Sequence, residues 1–165
     1  MENPYTKDEI KDINELCLAI GHVVVQWGFL EHNLNLCLGW VYSAYGGKKI
    51  AKRKKMERFQ RRQIDFMRDC FKNPNLQSLA PFKDEGISLL DRTATLINDR
   101  DDIIHSTYDG LYKGSFDFIQ FNFDNPQILY VKKVKRTINS ILETRKKIED
   151  LAADLGRFGL RLAGK

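Results

Sequence analysis

Between Ile10 and Val41 apolar side chains return at steps of three and four: Ile10, Ile13, Cys17, Ile20, Val24, Trp27, Leu34, Leu38 and Val41. Residues at that spacing share one side of an α-helix, so the pattern predicts a long first helix with this stripe turned to a core. Its start is marked by Thr6-Lys7-Asp8-Glu9, a capping box in which hydroxyl and carboxylate satisfy backbone N–H groups reciprocally. Gly46-Gly47 marks its stop. A second helix is predicted from about Ile50 to Phe71, with Met56, Phe59, Gln63, Phe66 and Cys70 inward and Asn73-Pro74 as its end. Pro81 suits the first turn of a third. That helix carries Ile87, Leu90, Ala94, Ile97 and Ile104 and should end near Tyr108-Asp109-Gly110.

The period then changes. "LYKGSFDFIQFNF" alternates by two in part, and "QILYVKK" follows Asp124-Asn125-Pro126. The two segments predict a β-hairpin, with a bulge where the alternation slips near Phe118-Ile119. A last helix should run from about Thr137 to Leu162 with Ile138, Ile141, Ile148, Leu155, Phe158 and Leu162 inward. No repeat or Gly/Ser/Pro-rich linker interrupts the chain. The prediction is one all-α domain over residues 1–165, a bundle of four main helices with a small β-hairpin between the third and fourth.

Composition changes this picture little. The 165 residues are 42% hydrophobic and 30% charged, which is globular rather than disordered. The net charge of +5 mildly favours a polyanionic partner. Cys17, Cys37 and Cys70 are odd in number, far apart and set among apolar positions, as expected of buried thiols in a reducing cytoplasm. The N-terminal "MENPYTKDEI" lacks the basic and apolar regions of a signal peptide. "LCLAIGHVVVQWGFL" is broken by Gly21, His22, Gln26 and Gly28 and is shorter than the roughly 20 residues of a spanning helix. These features predict a soluble protein with no membrane partner.

Charge is concentrated in two places. Residues 48–62 hold nine basic side chains against one acid, Glu57. Lys52, Arg53, Lys54, Lys55, Arg58, Arg61 and Arg62 are the candidates here for salt-sensitive phosphate contacts with little base preference; the competing reading is an ordinary solvated face. The second place is "LINDRDDIIHSTYDG", residues 96–110. On a helix, Arg100 and His105 lie about 140° apart and roughly 7.5 Å along the axis, so both can border one cleft. Asp101 and Asp102 stand four and three residues before His105, where either can orient the imidazole. Arginine and histidine suffice for one reaction without a metal, because RNA carries its own 2′-OH nucleophile: histidine moves the proton and arginine holds charge on the phosphoryl oxygens. A charged surface helix is the competing reading. Glu31, on the first stripe, needs a partner if buried, and Arg100 is a reasonable one. A metal site built on Asp102, His105 and Asp109 is disfavoured by Arg100, and no cofactor motif is present.

"RDDIIH" resembles the Arg-polar-x3-to-5-His signature of the HEPN superfamily (higher eukaryotes and prokaryotes nucleotide-binding). "WGFLEHNLNLCL" resembles a Trp-x-x-Leu-Glu segment on the first helix of some bacterial members, and the order of elements is similar over nearly the whole chain. The resemblance implies an α-helical bundle, commonly a homodimer. Many members are metal-independent endoribonucleases in toxin–antitoxin or phage-defence systems, which implies RNA and an antitoxin or other protein as partners. Carried over, Arg100 would polarise the phosphate, His105 would be the acid/base, Asp101 would fill the polar position, and Glu31 would support. That position is often Asn in the family; here it is Asp101, flanked by Asp99 and Asp102. The alternative is a catalytically silent dimerisation or partner-binding module, since fold alone does not license an activity.

Overall fold

The computed structural model describes residues 5–51, 59–112, 115–122 and 130–164. In chain order these form α1 (Lys7–Ser43), a short α2 (Gly47–Ile50), α3 (Gln60–Lys72), a 3-10 turn (Gln77–Phe82), α4 (Lys83–Ile104), β1 (Thr107–Tyr112), β2 (Ser115–Asn122), β3 (Tyr130–Arg136) and α5 (Ile138–Leu162). The chain is mainly helical, with one antiparallel sheet in the order β1-β2-β3. Met56 and the rest of residues 52–58, in the middle of the predicted second helix, lie outside the described residues. Phe59, expected in its stripe, is exposed and stands in extended conformation at the N-cap of α3.

The capping box forms as expected. The Thr6 N–H donates to Glu9 Oε2 at 2.8 Å, and the Glu9 N–H to Thr6 Oγ1 at 3.3 Å. The Thr6 backbone bond, then its hydroxyl, hold the Glu9 carboxyl below the usual range. α5 opens on a variant of the same device: Thr137 N–H donates to Ser140 Oγ, and Ser140 N–H to Thr137 Oγ1, both at 3.1 Å. After α1 the chain turns through Gly46, whose φ of 83° explains the glycine.

The predicted hairpin is a three-stranded sheet. The aromatic segment is two strands, paired from Tyr112 opposite Ser115 back to Thr107 opposite Ile119. α4 therefore ends at Ile104, short of the expected Tyr108-Asp109-Gly110 stop, because those residues give their backbone groups to β2. The pairing steps from Tyr108 opposite Phe118 to Gly110 opposite Asp117, leaving Asp109 as a bulge. The anticipated slip thus falls on the facing strand, level with Phe118. On β2, Phe116 and Phe118 are buried and alternate with half-buried neighbours, the period-two signature of a half-covered sheet.

The chain divides into two compact units, residues 1–25 with 97–147 and residues 26–96 with 148–165. The core of the first contains Leu16, Ala19, Val23, Ile97, Ile103, Phe116, Phe118 and Ile141. Tyr108 there has its phenol pushed up, first by burial and then by Tyr5, Glu9 and Asp12. In the second unit α1 and α5 approach closely. Asn33 Nδ2 donates to the Ala152 carbonyl at 2.8 Å, Cys37 Sγ to that of Leu155 at 3.4 Å, and Tyr45 Oη to that of Leu162 at 2.9 Å. Gly159 makes room for this: a Cβ there would stand 3.3 Å from Cys37 Sγ. Phe71, Phe82 and Phe158 form an aromatic cluster, with centroids 6.1 Å apart for both Phe71–Phe158 and Phe82–Phe158.

The core stripe of α1 agrees with expectation from Trp27 onward but is set one residue earlier before it. Leu16, Ala19 and Val23 are buried, whereas Cys17 and Val24 are exposed. α4 shows the same offset, with Leu89, Thr93, Leu96 and Ile103 buried beside Leu90 and Ile97. By length and composition α1 is apolar enough to cross a bilayer, contrary to the reading of its sequence; its most apolar window is 28% buried inside the protein. Much apolar surface of α1 therefore faces outward.

Candidate functional site

The last turn of α4 and the residues just past it carry the predicted pair. Arg100 lies within the helix, while His105 follows its last residue yet keeps the helical bond from its N–H to the Asp101 carbonyl at 3.0 Å. That position lets the ring turn back along the helix. Arg100 Nη1 and His105 Nε2 come within 3.2 Å. The guanidinium is only a donor, so Nε2 must be the acceptor. Arg100 is 15% exposed and His105 66%, so the pair is anchored on one side and open to water on the other.

Asp101 completes the cluster. Its Oδ1 accepts from Arg100 Nη1 at 2.7 Å and stands 3.8 Å from His105 Nε2. The carboxylate neutralises the guanidinium in the absence of an anion, and a phosphate would compete with it for the same donor. Asp102 faces a different cation: its Oδ2 is 3.5 Å from Arg136 Nη2, and its carbonyl accepts from Ser106 Oγ at 2.6 Å. The Asp102 carboxylate therefore ties the end of α4 to the end of β3.

Arg136 was missed in the sequence. β3 carries Lys132, Lys133, Lys135 and Arg136 within seven residues, and Lys133 and Lys135 are exposed. Lys133 Nζ is 3.3 Å from the Asp109 carboxylate on the bulge of β1. The sequence signal is "VKKVKR", in which the alternation of a strand masks a cationic surface. It lies in the same unit as Arg100 and His105.

The remaining predicted residues fall elsewhere. Glu31 is half-buried on α1 and accepts from the side-chain amide of Gln60 on α3, a neutral partner rather than the expected guanidinium. It sits beside the true core stripe, next to fully buried Leu30, which explains how a carboxylate is tolerated there. Of the basic run, Lys52, Arg53, Lys54, Lys55 and Arg58 lie outside the described residues. Arg61 and Arg62 are exposed on the first turn of α3, in the second unit, with Arg62 over the Phe59 ring at 5.3 Å. Cations at a helix N-terminus oppose its dipole. Among the described residues no three His, Cys, Asp or Glu side chains gather as a metal site would require. Compared with family models, curated proteins and solved structures, the chain matches none.

Proposed function

We propose that this chain is a metal-independent endoribonuclease of HEPN-like kind, acting on RNA in the cytoplasm. The observation that carries the reading is the 3.2 Å approach of Arg100 Nη1 to His105 Nε2, with the ring open to solvent. RNA enters with a phosphate drawing Arg100 Nη1 away from both Asp101 and His105, so that His105 Nε2 is free to accept from the adjacent 2′-OH. His105 takes that proton as O2′ attacks phosphorus. Arg100 holds the charge on the non-bridging oxygens, worth about 3–4 kcal/mol for donors of this type. The P–O5′ bond breaks, the leaving oxygen takes the proton back from His105, and the products end in a 2′,3′-cyclic phosphate and a 5′-OH. Lys133 and Lys135 hold flanking phosphates without reading bases.

The test is cleavage of RNA by the purified chain in excess EDTA. Wild type should cut, leave cyclic-phosphate ends, and spare a strand with 2′-deoxyribose at the cleaved position. Arg100→Ala and His105→Ala should each lose at least about a hundredfold in rate with an unchanged thermal melt. No cutting by wild type, or full cutting by His105→Ala, returns the chain to the class of silent helical modules.

A further inference from the structure

Between α1 and α5, inside the unit of residues 1–25 and 97–147, lies an open groove of about 250 Å³. α1 lines it with Glu15, Leu18, Ala19 and His22, and α5 with Ile138, Leu142 and Arg145. Both sets follow the spacing that keeps residues on one side of a helix, and each spans two turns, about 10.5 Å. On α1 Glu15 and His22 flank the apolar pair. On α5 Arg145 closes a row that is otherwise apolar. Leu18 is 63% exposed and Leu142 38%, so the apolar middle of the groove is open to water. Among the described residues Glu15 makes no ion pair, although Arg145 lines the same groove. Carboxylate and guanidinium are therefore set apart along it, and Arg145 stands toward the His22 end.

We propose that this groove binds a linear ω-amino carboxylate, a methylene chain with an ammonium at one end and a carboxylate at the other. Glu15 takes the ammonium. Arg145 and His22 donate to the carboxylate. A guanidinium has N–H donors enough to serve a ligand beside its contacts within the chain, and an imidazole supplies at least one more. The methylenes lie on Leu18, Ala19, Ile138 and Leu142 and cover them from water. In 6-aminohexanoate the bonds from nitrogen to carboxyl carbon equal those of two residues of extended backbone, about 7 Å. With side chains reaching inward from each end, that length matches the two turns.

Other small ligands fit the groove less well. Its volume is below the roughly 300–1,000 Å³ of drug-sized sites, which favours a ligand of few atoms. An α-amino acid carries both charges on one carbon and cannot reach both ends. A diamine sets a cation against Arg145, and a dicarboxylate sets an anion against Glu15. A dipeptide has the length but lays a peptide group on the apolar middle, where the lining offers it no partner. The groove includes neither Arg100 nor His105, and its ligand is the same whatever chemistry they perform.

The test is calorimetric titration of the full chain at low salt, with the His22 ring signals followed by NMR. Wild type should bind 6-aminohexanoate with a dissociation constant below about 1 mM, as suits a ligand of so few atoms. Hexylamine and hexanoate each keep one end only and should bind at least about fivefold more weakly. Arg145→Met should lose at least about tenfold. Glu15→Lys should reverse the choice, so that hexanedioate binds and 6-aminohexanoate does not. Glu15 is exposed, and that variant should keep the thermal melt of wild type. Neither heat nor a shifted His22 signal from wild type at about 10 mM 6-aminohexanoate overturns the proposal. So does equal affinity for hexanoate, or an unchanged preference in Glu15→Lys. A leucine dipeptide bound more tightly than 6-aminohexanoate also overturns it and assigns the groove to peptide termini.

Discussion

Replacing Gly86 by alanine should destabilise the chain, although alanine is the better helix former. Gly86 is buried in α4, and a Cβ there would lie 2.6, 2.7 and 3.0 Å from the Cζ, Cε2 and Cε1 atoms of Phe71. Carbon atoms rest at about 3.5–4.0 Å, so the ring would have to retreat by about 1 Å. It is backed by Phe158, which is in turn held by the edge of Phe82. Overpacking without room to relax costs about 1–3 kcal/mol, and three crowded ring atoms point to the upper half of that range. Alanine returns about 1 kcal/mol of helix propensity. The net loss is about 1–2 kcal/mol, which lowers the melting temperature by about 2–8 °C at this chain length. Thermal and urea unfolding followed by circular dichroism measure it. Phe71→Leu removes the ring, so Gly86→Ala added to Phe71→Leu should cost nothing further, a coupling of at least about 1 kcal/mol. A Gly86→Ala chain as stable as wild type would refute the reasoning, as would a penalty that persists without the ring.

Three other outcomes follow from the geometry. Asp101→Asn removes the carboxylate 2.7 Å from Arg100; a 2′-deoxy-substituted RNA should then bind about fivefold tighter, measured by fluorescence anisotropy at fixed salt. Cys37 and Cys70 have thiols pushed up to about 12, in both cases chiefly by burial, whereas Cys17 is exposed. Iodoacetamide at pH 8 should therefore label one cysteine in the folded chain and three in denaturant, counted by mass spectrometry. Asp154 is held below the carboxylate range first by its hydrogen bond from Arg92. A depressed carboxyl contributes stability above its unfolded value of 3.8 and loses it as pH falls through the folded one. The urea midpoints of wild type and Arg92→Ala should accordingly differ at pH 7 and draw together as the pH falls below 3.8.

How far the sequence could be read depends on where polar residues punctuate it. In α5, the charged residues between Glu143 and Asp154 leave one reading of the inward face, and Ile141, Ile148, Leu155, Phe158 and Leu162 are all buried there. In α1 from Trp27 onward, Gln26, Glu31 and Asn35 do the same service. Before it, "LCLAI" and "VVV" offer apolar residues at every phase, and periodicity cannot choose between Leu16 and Cys17 or between Val23 and Val24. The Arg100–His105 pairing was legible as a spacing. Its contact was not, because an ideal helix keeps the two side chains about 140° apart, and only the end of α4 at Ile104 lets the ring turn back. The third strand was hidden for a related reason. Tyr108-Asp109-Gly110 carries every local sign of a helix stop and none of a strand; the pairing with β2 that makes it one is a tertiary fact.

The ambiguity in α1 has a physical content of its own. A helix with one buried face needs one apolar stripe, and a sequence that supplies only one can be phased from its pattern. α1 supplies two: Leu18, Val25, Phe29, Leu36 and Trp40 are exposed on the side away from its core. With apolar side chains on both sides, the spacing alone cannot say which of them turns to the core. The failure of periodicity at Cys17 and Val24 follows: before Trp27 apolar residues stand on every side of α1, and only packing selects Leu16, Ala19 and Val23.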